Sequence, residues 1–293
     1  MQKKMFLGYV LVALSAVIFG CMPLMAKKFI YPDGINAPSL VFWRNFLALP
    51  VLGVLAFREN KTVRVSVKAL PSLCVTALLG CCITPVLLFT SYNYIPSGTA
   101  TVFHFIYPAA VVVGGLLFCN KKAQAASIVS VIMCVAGICL FYDPAAPLDI
   151  TGAVIAAASG ITFSAYVLLL SQGKMRVTGF LFTFYIALIS SIAIFLYCIF
   201  TGNFVIPSSP LTFAYCAVFA LAVTVGAVVL FQNGTVIIGG ERASVISTLE
   251  PITGVVIGAA VFSEKLSIGV IAGSVLIIAA TVTIALSDMK KTR

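Results

Sequence analysis

Charged side chains make up only 9% of this 293-residue chain, where soluble domains carry roughly 25%. Against 61% hydrophobic residues and a mean hydropathy of +1.16, that leaves too little polar surface to cover a water-soluble globule. Histidine is almost missing, with one in the chain. No CxxC or comparable ligand spacing accompanies it, so no metal site is expected. A Walker motif is absent, as is any soluble segment large enough to hydrolyse a nucleotide, and no cofactor is implied. Acidic residues number eight. Glu241 falls in a short loop and Asp143 and Asp149 flank another, so no buried carboxylate pair points to an intramembrane hydrolase, and an enzyme is not expected. The net charge of +10 is spread thinly between apolar runs and forms no patch wide enough for nucleic acid. What remains is a polytopic membrane protein whose surroundings are the lipid bilayer.

A helix crosses a hydrocarbon core of about 30 Å in about 20 apolar residues. Ten stretches qualify: 5–26, 38–57, 70–92, 98–119, 124–142, 150–171, 178–200, 211–232, 242–262 and 267–287. Lipid cannot satisfy an unpaired backbone group, so these spans must be helical. Uninterrupted runs such as VLVALSAVIFG lack the alternation of a barrel strand. With a cytoplasmic N-terminus, fourteen basic residues fall on the inner side and three (Lys27, Lys28 and Lys265) in outer loops. The positive-inside rule therefore predicts both termini in the cytoplasm. A cleaved leader is not expected: Phe19 stands where a lipoprotein site before Cys21 wants a small residue, and nine spans follow. The nine cysteines lie within spans or at their edges and read as small packing residues.

The chain is written twice. Over 8–28 and 152–172, Gly8, Val10, Ala13, Ser15, Phe19 and Leu24 meet Gly152, Val154, Ala157, Ser159, Phe163 and Leu168 without a gap. Over 97–122 and 240–265, Ala100, Pro108 and Gly115 meet Ala243, Pro251 and Gly258. The two halves, 1–142 and 149–288, hold five spans each. Five is odd, so the second half enters the membrane from the opposite face, an inverted-topology repeat of the kind secondary transporters use.

In span two, Phe42-Trp43-Arg44-Asn45-Phe46-Leu47-Ala48 carries an arginine and an alanine at fixed spacing. Around span nine stand Ala243-Ser244-Val245, Leu249-Glu250-Pro251 and Ser263-Glu264-Lys265-Leu266. With the five-plus-five duplication, these resemble the drug/metabolite transporter superfamily, and within it the EamA family with its two tandem EamA-type repeats. The first repeat departs from the pattern: where the family often has Gly-Glu after span four, this chain has Asn120-Lys121-Lys122, with Lys121 aligned to Glu264. The resemblance covers nearly the whole chain. It implies export or exchange of small organic solutes through a central cavity lined mainly by spans one to four and six to nine, with spans five and ten bracing the outside.

Two formal charges lie deep in spans, Arg44 and Glu250. Each should face a cavity or a partner, because an ionised group at mid-bilayer costs about 2.5–3.5 kcal/mol or more. Glu250 is either a proton carrier, exchanging its proton for a cationic or zwitterionic solute, or a structural residue bonding backbone groups freed by Pro251. Arg44 either holds a substrate carboxylate or phosphate through its planar fork, pairs with Glu250, or snorkels to the interface. His104 reads as a substrate contact or as a buried, neutral, hydrogen-bonded residue. Trp43, Tyr92, Tyr94 and Tyr107 are candidates for an aromatic wall, while Tyr92 and Tyr94 read equally as interfacial anchors, the reading favoured for Tyr94. Pro23, Pro50, Pro85, Pro108 and Pro251 fall inside spans and should break helices around a cavity, whereas spans five, six, seven, eight and ten have no interior proline. Gly254-xxx-Gly258 and Gly269-xxx-Gly273 suit close packing within the bundle first and a homodimer contact second.

The expected protein is an all-α secondary transporter of the bacterial plasma membrane. It exports or exchanges small organic solutes, amino acids foremost, by alternating access, with Glu250 as the candidate group for proton coupling. The alternatives are a non-transporting membrane sensor or assembly scaffold and a flippase for a lipid-linked carrier.

Overall fold

The computed structural model describes residues 2–61, 64–118, 125–140, 149–172, 179–262 and 268–291. Among these residues every regular element is helical. In chain order the helical runs are α1 (Lys3–Asp33), α2 (Ala37–Asn60), α3 (Val67–Ser91), α4 (Ser97–Phe118), α5 (Ala125–Cys139), α6 (Ile150–Ser171), α7 (Gly179–Thr201), α8 (Pro210–Ile238), α9 (Gly240–Ile246), α10 (Leu249–Phe262) and α11 (Ile268–Lys291). Seven of them, α1–α4 and α6–α8, are long and apolar enough to cross a membrane. The fifth, ninth and tenth expected spans correspond to shorter apolar pieces. α5 has 15 residues, the ninth is divided into α9 and α10 at Ser247-Thr248, and the apolar part of α11 is Ile268–Ile284. The Ser263-Glu264-Lys265-Leu266 motif, its counterpart Asn120-Lys121-Lys122, and Cys119 lie outside the described residues.

Helix starts follow from local chemistry. The Asn36 side chain accepts from Ser39 N at 2.9 Å, with Pro38 in the first turn of α2, and Ser209 Oγ accepts from Thr212 N at 3.0 Å ahead of Pro210. The Asp149 carboxylate caps α6, accepting from Thr151 N at 2.7 Å and Gly152 N at 3.4 Å. Loss of such a cap costs about 1 kcal/mol. Asp149→Ala should therefore lower the thermal unfolding midpoint by a few degrees in detergent, and Asp149→Asn should recover most of it.

Two expected boundaries move outward furthest. α1 does not end at residue 26: a π-helical turn over Ala26–Ile30 and a tight turn over Tyr31–Asp33 carry it on to Gly34, whose φ of +82° ends it. Lys27 and Lys28, expected in an outer loop, stand in that helical turn, with Lys27 Nζ 5.3 Å from the centre of the Tyr92 ring. α8 runs past Gln232 to Ile238, because the glutamine amide finds buried partners in Thr183 and Tyr166.

The prolines coincide with irregularities. α1 is interrupted at Cys21 before Pro23, α2 at Leu47-Ala48 before Pro50, α4 at Phe105-Ile106 before Pro108, and the ninth span at Ser247-Thr248 before Pro251. Near Pro85 the chain instead winds wider, as a π-helical stretch over Leu78–Ile83, which absorbs a distorted hydrogen-bond ladder without a gap. α8, expected to be regular for want of proline, carries its own π-helical stretch over Ala220–Val228.

Packing joins the two halves more than it separates them. α1 lies on α8 and α10, α6 lies on α3 and α4, α7 lies on α2 and α3, and α5 pairs with α11. Lipid gives helices no hydrophobic drive to associate, so small residues allow backbones to approach. Gly234 of α8 sits against the Gly8 carbonyl of α1, Gly137 of α5 against the Gly273 carbonyl of α11, and Gly254 of α10 against the Gly20 carbonyl of α1. Gly254 and Gly273, one from each small-residue pair, thus meet partners inside the bundle. The largest buried cluster draws Val12, Leu73, Tyr107, Tyr166, Phe182 and Phe231 from both halves.

Candidate functional site

Between the halves, Phe19, Met22, Arg44, Gly80, Cys81, Thr84, Pro85, Leu88, His104, Phe163, Tyr166, Val228, Phe231 and Glu250 line one narrow, partly open cavity. The lining draws on α1, α2, α3, α4, α6, α8 and α10. Three of the candidate residues read from the sequence, Arg44, His104 and Glu250, converge there from three different helices.

Arg44 stands in the last turn before the interruption at Leu47-Ala48, where helix polarity favours a cation. The Thr224 hydroxyl, from the π-helical stretch of α8, donates to the Arg44 carbonyl at 3.1 Å and satisfies a backbone acceptor that the break leaves open. The side chain is 3% exposed and so does not snorkel to the interface. Its electrostatic neighbours are Cys81, Tyr166 and Cys82, the Cys81 sulfur also accepting a hydrogen bond from the guanidinium, while its Nε has no hydrogen-bond partner. Next to it, Asn45 Nδ2 donates to the Val41 and Cys81 carbonyls at 2.9 and 3.1 Å, tying this turn to the widened part of α3.

Glu250 lies in the first turn of α10, where the helix end favours a negative charge. Its backbone N–H donates to the Ser247 carbonyl at 3.0 Å. Among the described residues the carboxylate forms no ion pair and receives no hydrogen bond, so the backbone groups near Pro251 do not hold it. Nor does it pair with Arg44, which has other electrostatic neighbours. The groups that sense Glu250 are Tyr92 and Tyr107.

His104 is buried, with Nδ1 2.8 Å from Ser159 Oγ. The serine hydroxyl has one proton, and it goes to the Ala156 carbonyl at 2.6 Å. Ser159 therefore accepts from His104 Nδ1–H, so that in the neutral ring Nε2 is the acceptor.

The aromatic candidates Trp43, Tyr92, Tyr94 and Tyr107 all stand outside the lining. Trp43 points to another cluster: its indole N–H donates to the Val205 carbonyl at 3.0 Å, and its ring stacks on Phe204 at 5.9 Å. On a helix, neighbouring residues face different directions, so the residue adjacent to Arg44 is turned away from the cavity. Tyr107, 1% exposed, backs the wall edge-on to Phe163 at 4.9 Å and beside His104 at 5.4 Å. Among the prolines only Pro85 reaches the lining; Pro23, Pro108 and Pro251 shape the helices around it.

Residues the sequence reading passed over complete the wall. Tyr166 and Phe163 come from the regular α6, and Thr84 Oγ1 is held by Thr162 Oγ1 at 2.7 Å. Behind Tyr166, Gln232 and Thr183 form a buried chain of hydrogen bonds. A lone glutamine inside the run VVLFQNGTVII was the available signal, since a buried amide must find partners.

Taken together, the cavity has a guanidinium on one wall, a carboxylate on another and mainly apolar or aromatic surface between them. It is complementary to a small dipolar solute with an apolar body.

The model of the EamA-like transporter family matches residues 6–142 and again 150–286, as two tandem repeats. Among solved structures, one crystal structure shares the fold at a TM-score of 0.73, with 17% sequence identity, covering 97% of this chain and 99% of the other. No curated protein matches the chain.

Proposed function

The chain belongs to the EamA-like transporter family, and from that premise we propose that this multi-pass membrane protein is a secondary transporter that exports or exchanges small organic solutes, amino acids foremost, across the bacterial plasma membrane. Ten spans are arranged as two inverted halves, 1–142 and 149–288, with both termini in the cytoplasm. Access alternates as the halves exchange conformations around the cavity.

The observation that carries this reading is the cavity itself, where Arg44 and Glu250, one from each half and not paired with one another, face a common space. Pairing across the halves supports the inversion. Exchanging the first five spans for the last five converts the contact of α1 with α8 and α10 into that of α6 with α3 and α4, and leaves the pairing of α5 with α11 unchanged. Irregularities repeat in the same way: π-helical stretches occur in α3 and α8, and interruptions precede Pro108 and Pro251. Two such halves are able to swap bent and straightened forms, which moves the opening from one face to the other.

Counterflow tests the proposal. Purified protein in liposomes loaded with unlabelled solute should accumulate the same labelled solute from outside, with amino acids of apolar or aromatic side chain foremost. A broad panel in which no small organic solute exchanges overturns the transporter reading in favour of a sensor or scaffold. Protein-dependent lipid scrambling in its place favours the flippase.

A further inference from the structure

We infer that Tyr166 is the second donor of an anion subsite in this cavity, completing with Arg44 a pocket for a solute carboxylate, and that Gln232 and Thr183 are its positioning residues. The inference rests on the transporter reading for its physiological solute, and on geometry for the subsite itself.

Thr183 Oγ1 is 2.6 Å from Gln232 Oε1, and Gln232 Nε2 is 2.8 Å from the Tyr166 hydroxyl. The shorter distance suits O–H···O and the longer N–H···O, so the chain runs in one sense: Thr183 donates to the amide oxygen and the amide nitrogen donates to the phenol. The phenol oxygen is thereby used as an acceptor. Its own proton has no acceptor among the described residues, although Tyr166 is only 2% exposed and lines the cavity. An unsatisfied buried donor is costly, and here it has company. Tyr166 and Arg44 are electrostatic neighbours, and Arg44 Nε is also buried without a partner. Thr84 contributes no third donor, because the proton of Thr162 goes to the Ser159 carbonyl at 2.9 Å and that of Thr84 goes to Thr162. Two unmet donors, one cationic and one neutral, on adjoining walls call for an acceptor that carries negative charge, and the planar fork of arginine suits a carboxylate. Because the Gln232 amide is fixed at both ends, the phenol does not need to reorganise when the anion arrives.

Four probes separate the anion subsite from general loss of structure: phenylalanine, its amide, phenethylamine and 3-phenylpropionate. Each is titrated against wild type, Tyr166→Phe and Gln232→Leu in detergent, following the thermal unfolding midpoint. Tyr166→Phe should weaken the two carboxylates about tenfold, the loss of one hydrogen bond to a charged group, and leave the amide and the amine unchanged. Gln232→Leu should reproduce that selectivity, because it unseats the phenol without removing it. Equal weakening of all four probes, no weakening of the acids, or no binding of either acid by wild type overturns the inference. If wild type binds the acids selectively but shows no counterflow, the subsite stands and the transporter reading falls.

Discussion

Glu250→Gln should abolish solute-driven proton movement in liposomes loaded with a pH-sensitive dye, to the level of protein-free vesicles, while labelled-solute exchange remains measurable. The amide keeps the size and hydrogen-bonding shape of the carboxylate but cannot gain or lose a proton. What makes the effect large is the isolation of this group. Among the described residues it forms no ion pair and receives no hydrogen bond, yet it faces the cavity. A lone carboxylate at membrane depth costs about 2.5–3.5 kcal/mol or more in its charged form. The N-terminus of α10 offsets roughly 0.3–1 kcal/mol of that. On the proposed mechanism the remainder would be met by a bound proton or by a cationic group of the solute, two occupants that would exclude one another. Competition for a single site is the minimal device for antiport. Proton movement that persists in Glu250→Gln would place the proton path elsewhere, with His104 the next group in the cavity to test.

Gly20→Ala and Gly160→Ala should each lower stability by about 2–3 kcal/mol, the upper range for overpacking a tight contact, while Gly98→Ala should be neutral. A Cβ at Gly20 would lie 2.6 Å from the Glu250 carbonyl oxygen and 2.6 Å from Thr253 Cβ, on the facing helix. At Gly160 it would meet the His104 carbonyl and, at 2.9 Å, Ile106 Cγ2. Both obstacles include backbone, which cannot rotate aside as a side chain does. Gly98, also helical, has nothing within 4 Å of the added atom. The two tight positions lie a helical turn apart in the register of the repeat, where Gly20 meets Ser164 and Gly160 meets Ala16, and each sets α1 or α6 against a broken helix of the other half. Thermal unfolding in detergent reads the stability, and counterflow on the surviving protein reads the coupling of this contact to the cycle. Unfolding at the wild-type temperature in both variants would mean that the helices cross less closely than the structure has them.

Much of the architecture was legible because membrane helices are dictated by composition. The apolar runs, the prolines and the duplicated glycines each have a local physical cause, and α6 and α7 match the expected spans to within about one residue. Boundaries failed where a tertiary contact extended a helix through polar residues, as at Lys27 beneath Tyr92 and at Gln232 between Thr183 and Tyr166. Of the site, Arg44 and Glu250 were visible as charges without water, and His104 as the one histidine in the chain. Trp43 and Tyr107 drew attention by type, but their directions depend on helix rotation.

The amino-acid sequence by itself determined the environment, the helical class, the duplication and the two buried charges, since each follows from hydropathy, periodicity or the price of burying an ion. Only the tertiary structure decided that Arg44 and Glu250 remain apart, that Trp43 turns away, that α8 winds wider over Ala220–Val228 without an interior proline, and that Tyr166 lines the same cavity as Arg44. These depend on how helices from opposite halves are rotated and how deeply they interlock, and in lipid that is set by close packing between residues far apart in the chain rather than by any local preference.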